Sequence, residues 1–362
     1  MRKRNQIILT VVVVVILGDV GLGFYWNVEP APLPAPQTKQ KVGVASTTEL
    51  IDSIETLLNK PGGFLSNDVM PPGVLMDNIP SWEYGALIQL RDFAYLMRNQ
   101  FSRPQAQSVR DDDLALAVPK LNISRKSWLF PRAETSYSEA ADYLKRYRAR
   151  LEGKEGPEAY FLNRPNNLDL WLQVVSRRLG GLTQELAQVG GVSSSLELFR
   201  GPNPIQPQRQ LPPGGDPPVS STEGLENLFP VASLPNQDPA QPAEPPPSAS
   251  HDAEAEARQR LNHPYLLADN YFYRARGAAW ALLNLCRGIE IDFHDQLAQK
   301  EALDSFRFLE QTLEASQKTL TTPIIMSGDY FSLLPNHPLT LAAFLASANA
   351  TVINIRRMLI AD

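Results

Sequence analysis

The sequence has little of the chemistry that most metal and cofactor sites need. It contains one cysteine, Cys286, and four histidines among 362 residues. One thiol cannot form an intramolecular disulfide, and it provides no thiolate cluster for zinc or an iron–sulfur centre. Cationic residues are not in excess either, since the chain has 34 Lys and Arg and 39 Asp and Glu. This composition does not indicate the basic face that proteins binding nucleic acid usually have. The composition therefore predicts no metal, no cofactor and no nucleic-acid partner.

The strings that identify common catalytic sites do not occur either. We find no H-E-x-x-H, G-x-S-x-G, S-x-x-K or P-loop, and the G-x-G at residues 21–23 lies inside an apolar run. Cys286 falls on the apolar face of a predicted helix, which favours a buried thiol over a nucleophile. The sequence assigns no catalytic residue and leaves enzymatic activity uncertain.

The N-terminus has the pattern of a single membrane anchor. Residues 7–26 form a segment of 20 residues that is apolar from Ile7 to Gly18 and contains one acid, Asp19. At about 1.5 Å per residue such a helix spans one hydrocarbon thickness of roughly 30 Å. Arg2, Lys3 and Arg4 precede it, so residues 1–6 are predicted to stay in the cytoplasm and the rest of the chain to be exported. A cleaved signal peptide is the alternative, although the aromatic residues 24–26 are poor neighbours for a cleavage site.

Composition divides the exported part of the chain. Residues 27–46 carry four alternating prolines and are predicted to be a polyproline-like stalk, which at about 3.1 Å per residue reaches roughly 60 Å from the bilayer. Residues 47–198 and 258–362 are predicted to form one helical domain. Residues 199–257 between them are Pro-rich, with 14 of the 31 prolines at 201–250. We predict that this insert is disordered, because it cannot bury enough apolar surface to offset its ordering entropy.

Seven helical segments are predicted in the domain, and no run of alternating strand residues. Their first residues are Thr47 or Thr48, Ser81, Ser136 (with Glu139 as a capping box), Pro165, a residue after Asp269, Gln296, and Asn336 or Pro338. The fourth segment has an apolar residue every seven positions from Leu168 to Val189, which is typical of a bundle or coiled coil. The segment from Gln296 is expected to continue to about Thr319. Residues 102–133 are predicted to be mostly loop. The fold class predicted is an all-α bundle of about seven helices behind one transmembrane helix.

Two of the predicted loops, residues 61–80 and 320–335, are longer and more apolar than ordinary connections. Either they pack over the ends of the bundle, or together they shape a groove for a peptide, a lipid or a partner helix. The candidate binding surface comprises Phe64, Asp68, Met70, Asp77, Asn78, Trp82 and Glu83 from the first region and Ile325, Met326, Asp329, Tyr330, Phe331 and His337 from the second.

Three acids of the first region are candidates for a carboxylate site that processes cell-wall glycan or peptide. Such enzymes use one or two carboxyl groups in a cleft, one of them with a raised pKa. Asp68, Asp77 and Glu83, the last between Trp82 and Tyr84, are the candidates. The alternative for Glu83 is an acid in the first turn of a helix, stabilised by about 0.3–1 kcal/mol through the helix dipole.

Three stretches of the sequence resemble a known family. They are KPGGFLSNDVMPPGVLMDNIPSWEYGALIQLRD at 60–92, YFYRARGAAWALLNLCRGIEIDF at 271–293 and PNHPLTLAAFLASANATVINIRRML at 335–359. With the basic-flanked anchor, they resemble an uncharacterised inner-membrane protein family of Gram-negative bacteria, the domain of unknown function family 2333. The resemblance implies the bacterial inner membrane, with the bulk of the chain in the periplasm. It implies no activity, cofactor or catalytic residue.

The function expected from these features is that of a non-enzymatic envelope protein. A single anchor would present a periplasmic helical bundle that binds another envelope protein, and self-association is left open. A carboxylate enzyme of the cell wall is the first alternative. A domain that binds lipid or another apolar ligand is the second, and it predicts a continuous apolar cavity.

Overall fold

A computed structural model describes residues 2–36, 41–103, 110–154, 156–191, 268–320, 325–328 and 335–361. In these ranges it has ten α-helices and no β-strand, which confirms the predicted all-α class. The helices are α1 Arg2–Trp26, α2 Val44–Asn59, α3 Asn78–Leu96, α4 Asp112–Leu121, α5 Ala133–Glu152, α6 Pro165–Val189, α7 Ala268–Asp292, α8 His294–Gln299, α9 Leu303–Ser316 and α10 His337–Ile360. The whole predicted insert, residues 199–257, lies outside the described residues together with its flanks.

Helix α7 is the centre of the bundle and is buried on almost all sides. Its neighbours are α2, α3, α6, α9 and α10. The closest crossing is with α3, where a β-carbon on Gly277 would lie 1.9 Å from the carbonyl oxygen of Trp82. The indole rings of Trp82 and Trp280 meet at this crossing, 5.0 Å apart between centroids. The two helices can approach this closely only because glycine lies at their contact.

The apolar heptads of α6 pack along α10, as their spacing predicts. Leu168, Leu172, Val175 and Leu179 of α6 are buried, and so are Leu345, Val352 and Ile355 of α10. Polar pairs flank this contact, including Arg356 with Asp169 at 2.8 Å. Apolar side chains at a spacing of 3.5 residues form the seam, and charged residues border it.

The predicted stalk is not a free spacer. Residues 29–33 lie along α7 and are hydrogen-bonded to it: the Trp280 indole N–H donates to Ala31 O at 3.0 Å, and Leu33 N–H donates to Asn284 Oδ1 at 3.0 Å. The Glu29 carboxylate pairs with Arg276 at 2.7 Å. Val44 and Ser46, also assigned to the stalk, lie buried in the first turn of α2. Prolines therefore mark an extended segment, but its backbone is used in the fold.

These contacts fix which end of the bundle lies next to α1. After Trp26 the chain first contacts Arg276, through Glu29, and then Asn284, through Leu33. The N-terminal end of α7 is therefore closer to α1 than its C-terminal end. The start of α3 lies at the same end, because Ser81 Oγ donates to Asn270 Oδ1 at 3.1 Å. The start of α10 is there too, since the rings of His337 and Phe272 are 6.2 Å apart. We call this end of the bundle the proximal end.

Residues 102–133 were predicted to be mostly loop, and the ten-residue helix α4 that lies within them was not predicted. The Asp111 side chain accepts hydrogen bonds from Asp113 N–H and Leu114 N–H and begins α4. Leu114, Val118 and Leu121 are buried along one face. The acidic run therefore supplies an N-cap and a first turn that favour the helix, rather than a solvated loop.

Several predicted helix boundaries were also wrong. Helix α5 begins at Ala133, and Ser136 is buried inside it rather than capping it. The helix predicted from Gln296 to Thr319 is two helices, α8 and α9. Helix α2 begins at Val44 because the Asp292 carboxylate, from the end of α7, accepts from Gly43 N–H and Ser46 N–H at 2.8 Å each. A cap supplied from nearly 250 residues away leaves no local signal.

Glu49 of α2 predicts how stability depends on pH. Burial, and to a smaller extent Asp52, raise its pKa from 4.5 to about 8, against the attraction of Arg287. Between these pH values the folded protein holds a proton that the unfolded chain has released, so stability falls as pH rises from 4.5 to 8, by up to about 1.4 kcal/mol per pH unit for this group. We expect Glu49→Gln to be more stable than wild type at pH 8 and to flatten the profile, as measured by denaturant unfolding at pH 5 to 8.

The matched control is Glu139→Gln, because Glu139 is half-exposed in its pair with Lys120. This control should leave the pH profile unchanged. If Glu49→Gln has the same slope as wild type, burial of this carboxyl group does not contribute to the pH dependence.

Candidate functional site

Two loops lie side by side at the proximal end. The first loop is residues 60–77, which the sequence analysis singled out, and the second loop is residues 122–132. The Asn67 side-chain amide joins them, donating to Ser127 O at 2.9 Å and to Glu134 Oε2 at 2.8 Å. Asn67 is buried, so the contact is a fixed part of the structure and the two loops form one surface.

Glu83 is the anchor of the first loop. Its fully buried carboxylate accepts from Leu65 N–H and Ser66 N–H at 2.8 Å each and from Ser66 Oγ at 2.5 Å. Its fourth partner is the Lys60 ammonium, which is buried as well and lies 2.7 Å away. Four donors thus occupy this carboxylate in the core, which suits a residue that holds the loop in shape and not one that meets a substrate.

Asp68 and Asp77 have raised pKa values, but the structure gives them different neighbours. Burial raises the pKa of Asp68, with a further contribution from Glu134 and opposing ones from Lys60 and Arg132. Partial burial and Asp269 raise the pKa of Asp77. A raised pKa on each acid separately is not yet the carboxylate pair that the hydrolase hypothesis needs.

The two aromatic candidates of this region belong to the core. Phe64 packs edge-on against Tyr137 with ring centroids 5.4 Å apart, and Trp82 packs against Trp280. Asn78 is the first residue of α3, one position after the Asp77 cap residue. These side chains shape the base of the first loop from below and do not form part of its outer surface.

The outer surface of the two loops is apolar. Met70 and Leu75 of the first loop are 71% and 79% exposed, and Phe130 of the second loop is 94% exposed. Seven large apolar side chains of the two loops are exposed: Val69, Met70, Val74, Leu75, Trp128, Leu129 and Phe130. Sequence reasoning found Met70 but missed the second loop. The signal was present in SRKSWLFPR at 124–132, an apolar tripeptide with cations on both sides.

The other candidate loop meets the start of α10. Met326 N–H donates to His337 Nδ1 at 3.0 Å, and His337 N–H donates to Met326 O at 2.9 Å. Burial lowers the pKa of His337. Its ring therefore has a structural role as an acceptor, next to Ile325 and Met326. Asp329, Tyr330 and Phe331 lie outside the described residues.

An open apolar groove runs between α9 and α10 on the side of the bundle. One part, of about 690 Å³, is lined by Phe308, Thr312, Ala315, Ala343, Phe344 and Ser347. Phe308 and Ser347 also line an adjoining part of about 520 Å³ towards Asn354. The groove is open along its length, which suits an elongated apolar segment better than an enclosed small ligand.

Metal and thiol chemistry gain no support from the described residues. Among them, no three His, Cys, Asp or Glu side chains are grouped so as to hold a metal ion. Cys286 is buried, and burial raises the pKa of its thiol.

Two helices of the described chain are long and apolar enough to cross a membrane, Asn5–Trp26 and His337–Ile360. They differ in burial, because no residue in the apolar window of the first helix is buried, whereas 39% of that of the second helix is buried. The packing of α10 against α6 accounts for its apolar face, as in the core helix of a soluble domain.

Comparison with known proteins identifies the family to which the chain belongs. A family model described as an uncharacterised protein conserved in bacteria (DUF2333) matches residues 2–209 and 235–361. The matched ranges include α1, both loops and all the helices of the bundle. No curated protein and no solved structure gives a significant match.

The anchoring role of Glu83 gives a stability prediction. Glu83→Ala removes the acceptor of two backbone N–H groups and leaves the Lys60 ammonium buried without its partner, so we expect a loss of about 3–5 kcal/mol in the free energy of unfolding. Limited proteolysis should then cut within residues 61–77. Denaturant unfolding of the full-length chain measures the loss.

Glu139→Ala is again the control, since its exposed pair with Lys120 should contribute less than about 1 kcal/mol. Unchanged or increased stability of Glu83→Ala would contradict the anchoring role, and it is the result expected when a strained catalytic acid is removed.

Proposed function

Because the chain belongs to this uncharacterised bacterial family, we propose that it is a single-pass protein of the bacterial inner membrane whose periplasmic helical bundle binds another envelope protein. In this proposal the protein is a scaffold and not an enzyme. It brings together three things: the anchor, the fixed attachment of the bundle to that anchor, and a surface for a partner.

The exposure of α1 is the observation that carries the proposal. The segment Asn5–Trp26 is long and apolar enough on average to span a bilayer, and no residue in its apolar window is buried by the rest of the protein. A water-exposed apolar helix of this length is unfavourable, so lipid is its natural surrounding. The cations at residues 2–4 favour a cytoplasmic N-terminus, and this topology supports a bundle on the periplasmic side.

The groove between α9 and α10 supports a protein partner. The groove is apolar, is open along its length and is bordered by the small side chains of Ala343 and Ser347. Small side chains allow a second helix to approach closely. An enzymatic role has less support, since the Glu83 carboxylate is fully engaged in the core by Leu65, Ser66 and Lys60. A carrier of small apolar ligands would need an enclosed cavity in place of this open groove.

The test uses the full-length chain in a Gram-negative bacterium with two readouts. A reporter that is active only in the periplasm, fused after residue 362, should give signal, and an epitope tag before residue 1 should remain on the membrane-bound protein. In addition, a photo-crosslinking amino acid at position 343 in the groove should give a discrete adduct with another envelope protein.

Position 142 is the control for crosslinking, because Asp142 is 66% exposed on the side of α5. An inactive reporter, or loss of the N-terminal tag, would overturn the anchored topology. Equal crosslinking patterns at positions 343 and 142 would overturn the groove as the partner site.

A further inference from the structure

The apolar surface of the two loops lies beside the outer end of α1. A β-carbon on Gly62 would lie 2.8 Å from the Trp26 indole, and one on Gly23 would lie 3.6 Å from Pro72 Cβ. Gly23 is three residues from the end of the helix, about 4.5 Å towards its centre. The first loop therefore extends past the last turn of the anchor, alongside its apolar residues.

The anchor itself shows on which side the loop lies. Between Asn5 and Trp26 the least exposed residues are Asp19, Gly23 and Trp26. Their spacing of four and three residues places them on one face of the helix. This face meets the first loop at Gly23 and Trp26, so the loop and the anchor form one continuous surface.

Charge is arranged around the tip of the second loop as a phospholipid headgroup layer would require. Arg125 and Lys126 precede Trp128, and Arg132 follows Phe130. Arg132 pairs with Glu134 at 3.2 Å, and its side chain is more than half exposed. The Arg125 guanidinium lies 4.4 Å from the centroid of the Tyr84 ring, which holds it beside the loop. Aromatic and apolar side chains with cations behind them are typical of segments that enter the interface of a membrane.

We propose that the first and second loops insert their apolar side chains into the outer leaflet of the bilayer that holds α1, with Arg125, Lys126 and Arg132 at the level of the phosphates. The occupant of this surface is phospholipid: acyl chains meet Met70, Leu75, Leu129 and Phe130, and phosphate groups meet the cations. The inference rests on the proposed membrane anchor. It makes the bundle a domain that lies on the membrane at its proximal end.

The fixed contacts within the surface favour lipid over a mobile partner site. Asn67 locks the loops to each other, and Glu83 with Lys60 locks the first loop to the core. The exposed apolar side chains thus belong to loops that are already fixed to each other and to the core, and the first of these loops meets α1 at Gly62 and Pro72. Transfer of a large apolar side chain from water into the bilayer is favourable, so several such side chains together keep the loops in the membrane interface.

The experiment measures depth with single fluorescent labels on the full-length protein in phosphatidylethanolamine–phosphatidylglycerol vesicles. The buried thiol is first replaced by Cys286→Ala, and an NBD label is then placed through Leu129→Cys, Val13→Cys or Tyr160→Cys. Residue 13 reports on the anchor and residue 129 on the second loop. Residue 160 is the matched control, because Tyr160 is a half-exposed aromatic whose carbonyl oxygen accepts from Tyr147 Oη at the other end of the bundle.

We expect the label at 129 to be quenched by lipids that carry a nitroxide near the headgroup, at least several-fold more than the label at 160. Adding Trp128→Ser and Phe130→Ser should return the label at 129 to the level of the control, with the label at 13 unchanged. Each removed aromatic side chain should shift the equilibrium of the loop towards water by about tenfold or more.

Three outcomes would overturn the inference. If the label at 13 is quenched by deep nitroxides but the label at 129 is as open to aqueous iodide as that at 160, the anchor stands and loop insertion is wrong. If the label at 129 is shielded from both iodide and lipid nitroxides, protein and not lipid covers the surface. If the label at 13 is itself in water, the membrane anchor of the proposed function is wrong.

Discussion

The guanidinium of Arg276 joins three parts of the protein at one buried point. It pairs with Glu29 at 2.7 Å, just after the anchor. It also donates to Ser316 O and Lys318 O at the end of α9, and it belongs to α7, the centre of the bundle. A buried charge with these partners is costly to separate, since loss of one partner of such a pair destabilises by about 3–5 kcal/mol. The direction of the bundle relative to α1 depends on this interaction.

From that constraint the positions of the loops follow. Because residues 29–33 run along α7 from Arg276 towards Asn284, the N-terminal ends of α3, α7 and α10 lie nearest the anchor. The connections that precede α3 and α5 are then the first and second loops, and the first loop meets the end of α1 at Gly62 and Pro72. An apolar surface of this kind on a soluble domain would be a liability for aggregation. Next to the membrane helix that we propose, it would be a second contact with the bilayer.

Much of the fold was predictable because its signals are local. The anchor follows from the length of one apolar run, and α6 from the heptads between Leu168 and Val189. The errors arose where a residue distant in the sequence determines the local structure. Asp292 caps α2, which lies nearly 250 residues earlier in the chain. Arg276 and Trp280 bind the residues that were predicted to be a stalk. The Glu83 carboxylate accepts hydrogen bonds from backbone N–H groups of the loop that precedes it. The pattern around Glu83 is compatible with an acid in a cleft or with a loop anchor, and only the positions of Leu65, Ser66 and Lys60 distinguish them. The second loop was missed because its apolar tripeptide is too short to stand out from an ordinary connection.

The central claim, that the bundle is fixed to the end of its anchor, can be measured by pulsed electron paramagnetic resonance. Spin labels placed through Tyr25→Cys and Leu75→Cys, on the exposed end of α1 and the tip of the first loop, with Cys286→Ala, report their separation in the full-length protein in lipid nanodiscs. The account predicts a short and narrow distance distribution, which Glu29→Gln broadens. A broad distribution that extends towards roughly 60 Å, as expected of a free polyproline spacer, would contradict it.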